Sequence, residues 1–186
     1  MPDGLSGPEP SPLRPREERF ALSQRAEFDA DGDPPAGAHP KIVQIVRHWQ
    51  SLRPGAGLLP GRQHFDPLAV PSLLRNIWLV DVVRDDPRLF RARLIGTAFG
   101  QVGARLRAGT FFEEVAPEAE AKVTTAPFRQ VLDTRRINWR RGPSSLSHME
   151  HVRELERVIL PLAADGSTVD MFLCLTVFYM SDGSDI

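Results

Sequence analysis

A single cysteine, Cys174, stands among 186 residues. A lone thiol makes no internal disulfide and supplies no thiolate metal cluster. This excludes a disulfide-stapled secreted scaffold and a cysteine-based zinc module, and a reducing cytoplasm is the expected compartment. No apolar run approaches the about 20 residues that cross a bilayer. Met1–Pro15 lacks the apolar stretch of a signal peptide, so no membrane role is expected. Charge of one sign is lacking as well: 23 Lys and Arg against 24 Asp and Glu leave −1. A generic polyanion binder would be strongly positive, so nucleic acid is not an expected partner. What is present is a hydrophobic fraction of 41%, enough to build a core.

Proline, glycine and acid are concentrated at the start. Residues 1–40 hold eight prolines, four glycines and eight Asp or Glu against four Arg. So little apolar surface cannot offset the ordering entropy, and residues 1–38 read as a flexible tail. Glu17–Phe28 is the exception: Phe20, Ala21 and Leu22 suit a short helix, transient or docked on the domain or a partner.

The folded part is expected over 39–180, with 181–186 as a C-terminal tail. Lys41–Leu52 puts Ile42, Ile45, Val46 and Trp49 on one helical face. Arg53-Pro54-Gly55 ends that helix. Asp66 and Pro67 start a short second helix running to about Leu74. The period then changes. Ile77–Val83 is an apolar strand, Asp85–Arg88 a turn, and Leu89–Ile95 an alternating strand, which together make an antiparallel hairpin. Thr97 caps a short helix over Ala98–Gly103, another helical stretch opens near Gly109, and Pro117 to about Thr134 reads as a longer helix, either continuous or broken in two at Pro127. Ile137–Arg140 suits a short strand. Arg153–Leu162 and Thr168–Tyr179 are strands joined by a turn centred on Asp165-Gly166. Strands, a cluster of helices and a closing meander predict an α+β fold with one antiparallel sheet.

Four ordered stretches carry a family resemblance. They are Trp49…Arg53-Pro54…Leu59-Pro60…Phe65-Asp66-Pro67, then Leu79-Val80-Asp81-Val82, then Phe90-Arg91-Ala92-Arg93-Leu94-Ile95-Gly96-Thr97, and last Ile159-Leu160-Pro161-Leu162…Asp165-Gly166. Over residues 41–178 the chain resembles the PAS-like domain proteins of bacteria, in the subgroup that is often a nearly freestanding PAS domain. The resemblance implies a five-stranded antiparallel sheet with its short helices on one face around a small cavity. It also implies a non-catalytic sensory or regulatory module that binds a small ligand or a signalling-protein partner.

Individual residues narrow the chemistry. A photoactive flavin needs a cysteine in an Asn-Cys-Arg-Phe-Leu-Gln-like motif, and Cys174 lies mid-strand between Leu173 and Leu175. Haem needs an axial ligand facing the cavity; of the five histidines only His48 is bracketed by apolar residues, and it sits off the helical stripe. His148 and His151 share a face only on a helix, no third ligand accompanies them, and no metal is expected. Gly96, Gly100 and Gly103 do not have dinucleotide-binding spacing. No cofactor is predicted, and haem and photoactive flavin are not expected.

Two alternatives stay open. Asp81, the one acid inside a strongly apolar strand, suits a small isomerase or dehydratase on an α+β fold, which would also need a cavity histidine. Arg129, Arg135, Arg136, Arg140 and Arg141 around Trp139 suit either contact with RNA, a nucleotide or an acidic partner or a solvated helix end. No kinase or cyclase signature follows Tyr179, so any output is expected to run through binding.

Period-two alternation predicts that Phe90, Ala92 and Leu94 share the inner sheet face with Val158, Leu160 and Leu162. Phe99, Phe111, Phe128 and Leu132 should cover that face from the helices. The candidate cavity lining is therefore Phe90, Leu94, Phe99, Phe111, Phe128, Leu132 and Leu160. Arg93 and Thr97 are the candidate polar contacts for an anionic ligand head, with Arg93 alternatively solvated or paired with Asp81. The stripe of the first helix is expected to pack on its own sheet or to form a homodimer interface through the 41–52 helix.

Overall fold

Strands β5 (Val152–Leu162) and β6 (Met171–Met180) lie in the middle of a computed structural model that describes residues 23–144, 149 and 151–186. Their connecting turn is built by Asp165, whose Oδ1 accepts from the Ser167 and Thr168 N–H groups at 2.8 and 2.7 Å. Gly166 follows at φ 79°, a backbone region that costs glycine little. β2 (Ile77–Val83) and β3 (Leu89–Ile95) form the expected hairpin, and β2 pairs with β6. β4 (Ile137–Gly142) pairs with β5.

The described residues form six strands rather than five, in the order β1-β4-β5-β6-β2-β3, every pair antiparallel. The sixth, β1 (Gln24–Phe28), falls inside the stretch read as flexible tail. The outer edge of β4 offers unpaired backbone groups, and these recruit a strand whatever its side chains are. A polar segment therefore joins the sheet without an apolar signature. Glycine at 142 permits the approach, since a Cβ there would stand 2.8 Å from the Cβ of Ser23. Phe20, Ala21 and Leu22 lie outside the described residues.

Helix α1 (Pro40–Ser51) begins with His39, whose Nδ1 accepts from the Lys41 N–H at 3.1 Å. Three short 3-10 turns follow, at Arg62–His64, Pro67–Ala69 and Pro71–Leu73. The single helix expected from Asp66 to Leu74 is split because Pro71 has no N–H to continue it. Helices α2 (Ala98–Gln101), α3 (Phe112–Val115) and α4 (Glu118–Thr134) come between β3 and β4. α4 runs through Pro127 and ends at Arg135, which takes a left-handed conformation at φ 59°.

Both faces of the sheet are covered. Helices α2 to α4 lie on one. There Phe128 is surrounded by Trp78, Phe90, Phe112 and Phe172, with ring centroids 5.3–5.7 Å away. α1 lies on the other and buries Ile42, Ile45, Val46 and Trp49 completely, while the Trp49 indole donates to the Pro161 carbonyl at 3.0 Å. Each fully buried side chain of this kind stabilises the fold by about 1.5–3 kcal/mol. The stripe is thus spent on its own sheet, and the expected homodimer interface through the 41–52 helix is not offered by these side chains.

The predicted inner face needs correction at two places. The β2–β3 register shifts between Leu79 and Val80, leaving Arg93 as the extra residue: Val80 faces Ala92, whereas Leu79 faces Leu94. One inserted residue reverses the alternation beyond it, so Leu94 leaves the inner face and is 44% exposed. In β5, Pro161 opposes Phe172 and Ile159 opposes Cys174, on the face of Phe90 and Ala92. Val158, Leu160 and Leu162 therefore face α1. A strand covered on both sides is apolar on both, and nothing in Val158–Leu162 marks the phase.

One polar cluster joins α1 to the sheet. Glu156, 0% exposed, accepts from the His39 N–H and the Trp139 indole at its Oε1, and from the Tyr179 hydroxyl at Oε2, each at 2.8 Å. Burial, followed by the bonded carboxylate, raises the Tyr179 phenol well above its ordinary value.

Candidate ligand cavity

Between the sheet and helices α2 to α4 lies a cavity of about 80 Å³. Four rings supply much of its wall: Trp78 and Phe178 from the sheet, Phe99 from α2 and Phe112 from α3. Phe99 stands edge-on to Phe178 at 5.0 Å and tilts over Trp78 at 5.4 Å. The Trp78 indole N–H is satisfied by the Thr176 hydroxyl at 3.1 Å. The space admits several waters or one small organic molecule, less than the roughly 300–1,000 Å³ of drug-sized sites.

Arginine dominates the polar part of this wall. Arg140 on β4 and Arg157 on β5 are directly opposite partners in the sheet, and both line the cavity. Like charges placed opposite one another destabilise a strand pair. Arg140 donates to the Ser23 hydroxyl at 3.1 Å and to the Pro143 carbonyl. Arg157 is 8% exposed and lies 5.6 Å from the centre of the Phe128 ring. Its Nε and Nη2 have no hydrogen-bond partner among the described residues. Burial pushes both guanidinium groups down, Arg140 to about 9 with Arg157 adding to the effect, and Arg157 to about 10. Among the described lining residues there is no carboxylate and no imidazole. A neighbouring cleft of about 300 Å³ between α4 and β4 shares both arginines with the cavity and adds Arg25 from β1.

The predicted site residues are dispersed. Phe99 lines the cavity. Phe128 is the aromatic centre beside it, and Phe90 packs on Phe128 and Phe172. Phe111 lies under the Arg88 guanidinium, 3.6 Å from its ring centre, and Leu132 is half-buried against the core. Leu94 and Leu160 are on the opposite face of the sheet. Arg93 is largely exposed and 3.8 Å from Asp81, which also takes Arg91 at 3.3 Å. Thr97 is exposed, and its side chain makes no capping bond to α2. The structure therefore brings neither proposed polar contact to the cavity.

The other candidates resolve in the same way. Asp81 faces away from the cavity and is paired with arginines rather than a histidine. His48 sits on α1, across the sheet, edge-on to Phe65 at 5.7 Å. His148 lies outside the described residues. Cys174 is fully buried, and burial pushes its thiol up. The arginine run does not make one patch: Arg135 donates to the Gly57 carbonyl, Arg136 to the Glu27 carbonyl, Arg141 pairs with Glu154, and Arg140 turns inward.

Trp78, Phe112, Phe178 and Arg157 line the cavity and are absent from the sequence-based expectation, and Arg157 is the charged one among them. Its signal was its place beside Val158–Leu162, in a strand that both layers cover, where a charged side chain has no route to water.

An antiparallel sheet with short helices closing a small cavity over one face is an α+β architecture with room for a small ligand. The family model for the PAS domain matches residues 38–177, and the chain belongs to that family. No curated protein and no solved structure matches the chain. The matched stretch starts just ahead of α1 and ends in β6, and β1 lies outside it. The family's theme is sensing and regulation, and no helix among the described residues is long and apolar enough to cross a membrane.

Proposed function

We propose that the chain is a non-catalytic sensory module of cytoplasmic signal transduction, which binds a small ligand in the cavity under α2 to α4 and passes a change of shape to a protein partner. The observation that carries this reading is the cavity itself, walled by four aromatic rings, with no acid–base pair among its described lining residues. A route for the change of shape lies along β5. Arg157 reaches the cavity on one face, while Glu156, the preceding residue, holds the first turn of α1 on the other. A displacement of β5 on the ligand side thus reaches the His39 N–H at the start of α1.

Native mass spectrometry of the purified full chain tests this reading. The expected result is a mass increment from a co-purified small molecule, lost in Ala104→Leu, which fills the cavity from its wall. Absorption should show neither a Soret nor a flavin band. A coloured protein, or an increment that survives Ala104→Leu, would overturn the assignment.

A further inference from the structure

The buried Arg157 guanidinium has no carboxylate partner among the described residues. A buried cation is ordinarily matched by a carboxylate, because desolvating it unpaired is costly. Arg157 has no such match among the described residues, two of its nitrogens lack any hydrogen-bond partner, and its cross-strand neighbour is a second arginine. A third, Arg25, lines the adjoining cleft, where no described lining residue is acidic. The Phe128 ring beside Arg157 gives the planar group a face to pack on without supplying a countercharge. Most of the remaining wall is apolar, including Phe99, Phe112, Phe178, Ala104 and Leu106, and its other polar groups are the neutral side chains of Thr124, Ser144, Thr176 and Trp78.

We propose that Arg157 and Arg140 form the head-group site of this cavity, and that the ligand is a small aliphatic or aromatic carboxylate. Its anion is held by the guanidinium groups and its apolar body lies against the rings. The inference rests on the sensory reading of the cavity and names the chemical class of its ligand. A guanidinium presents paired N–H donors in a fork that matches the two oxygens of a carboxylate, and the orphaned Nε and Nη2 of Arg157 form one such fork. The small volume limits the ligand to a short chain or a single ring, and the apolar wall disfavours a dianion whose oxygens would all need donors. Arg93, with its acid neighbour and its exposure, is excluded from this role.

The test is a titration of the ¹⁵N-labelled full chain, followed through the Arg157 Nε–H and Trp78 indole signals. The probes are sodium acetate, butyrate, hexanoate and benzoate, with butyramide and inorganic phosphate as comparisons at matched ionic strength. At least one carboxylate should give saturable shifts at both signals. Butyramide should bind at least tenfold more weakly than butyrate. Arg157→Met should abolish the response to carboxylates, and Arg93→Met should preserve it. If carboxylate and amide bind alike and Arg157→Met binds as the parent does, the head-group assignment is overturned while the sensory cavity stands. Phosphate binding more tightly than every carboxylate overturns the carboxylate class. If no probe perturbs either signal, the head-group assignment fails; if the purified chain also carries no mass increment, the sensory reading fails with it.

Discussion

The Tyr179 hydroxyl donates to Oε2 of Glu156 at 2.8 Å, from a strand neighbour on the α1 side of the sheet. Tyr179 is the one tyrosine of the chain, so its ionisation can be followed by absorbance without interference. Burial and the adjacent carboxylate both favour the neutral phenol. The expected midpoint lies well above the ordinary value near 10. Because the folded value is raised, this group's contribution to stability is complete below pH 10 and is lost as the pH rises toward the folded midpoint. Glu156→Gln should bring the midpoint back down. A midpoint near 10 in the folded protein would contradict the contact.

Removing the charge of Arg157 should stabilise the ligand-free protein. Replacing a buried charged group by an apolar one of similar length relieves its desolvation, an effect on the order of 1–4 kcal/mol. Chemical denaturation of Arg157→Met should therefore show a higher midpoint than the parent. A loss of stability would mean that the guanidinium has a structural partner.

Gly96 belongs to the stretch that carries the family resemblance, and its lack of a side chain has a steric reason. A Cβ at this position would lie 2.3 Å from the Arg75 carbonyl oxygen and 2.6 Å from that of Ile77. Both are backbone atoms and cannot swing aside. Gly96→Ala should cost at least about 2 kcal/mol, read as a lowered denaturation midpoint. Gly100→Ala, where a Cβ meets nothing within 4 Å, is the control and should change little.

Asp165 offers a pH test of the turn between β5 and β6. The Thr168 and Ser167 backbone N–H groups hold its carboxylate down to about 2. Its folded value is depressed, so the turn keeps its full contribution above the ordinary carboxylate value near 3.8 and loses it as the pH falls toward about 2. Carboxyl ¹³C shifts should report this midpoint, and Asp165→Asn should remove the acid-side loss.

Much of the architecture was written in the local pattern. The ranges of β2 and β3 follow directly from Ile77–Val83 and Leu89–Ile95, and the apolar stripe of α1 is the one that packs. Three features were not legible, each for a physical reason. β1 joins through backbone groups of the β4 edge, which composition does not record. The bulge at Arg93 inserts one residue where the alternation looked unbroken, so Leu94 and Arg93 were assigned to a cavity that they do not reach. In β5 the apolar run gives no phase, and a charged residue is read as outward by default, which hid Arg157. Of the two rings that the helices give the cavity, Phe99 was legible from its sequence and Phe112 was not, because the adjacent Phe111 and Phe112 offer no sign of which one turns inward.

The seat of the ligand can be located by intermolecular nuclear Overhauser effects from the methylene protons of ¹³C-labelled butyrate bound to the full chain. The expected contacts are to the ring protons of Trp78, Phe99 and Phe178, and none to Ile42 or Trp49 across the sheet. Contacts confined to a separate surface groove lined by Leu74 and Leu94, or to the α1 side, would contradict a ligand held between the sheet and helices α2 to α4.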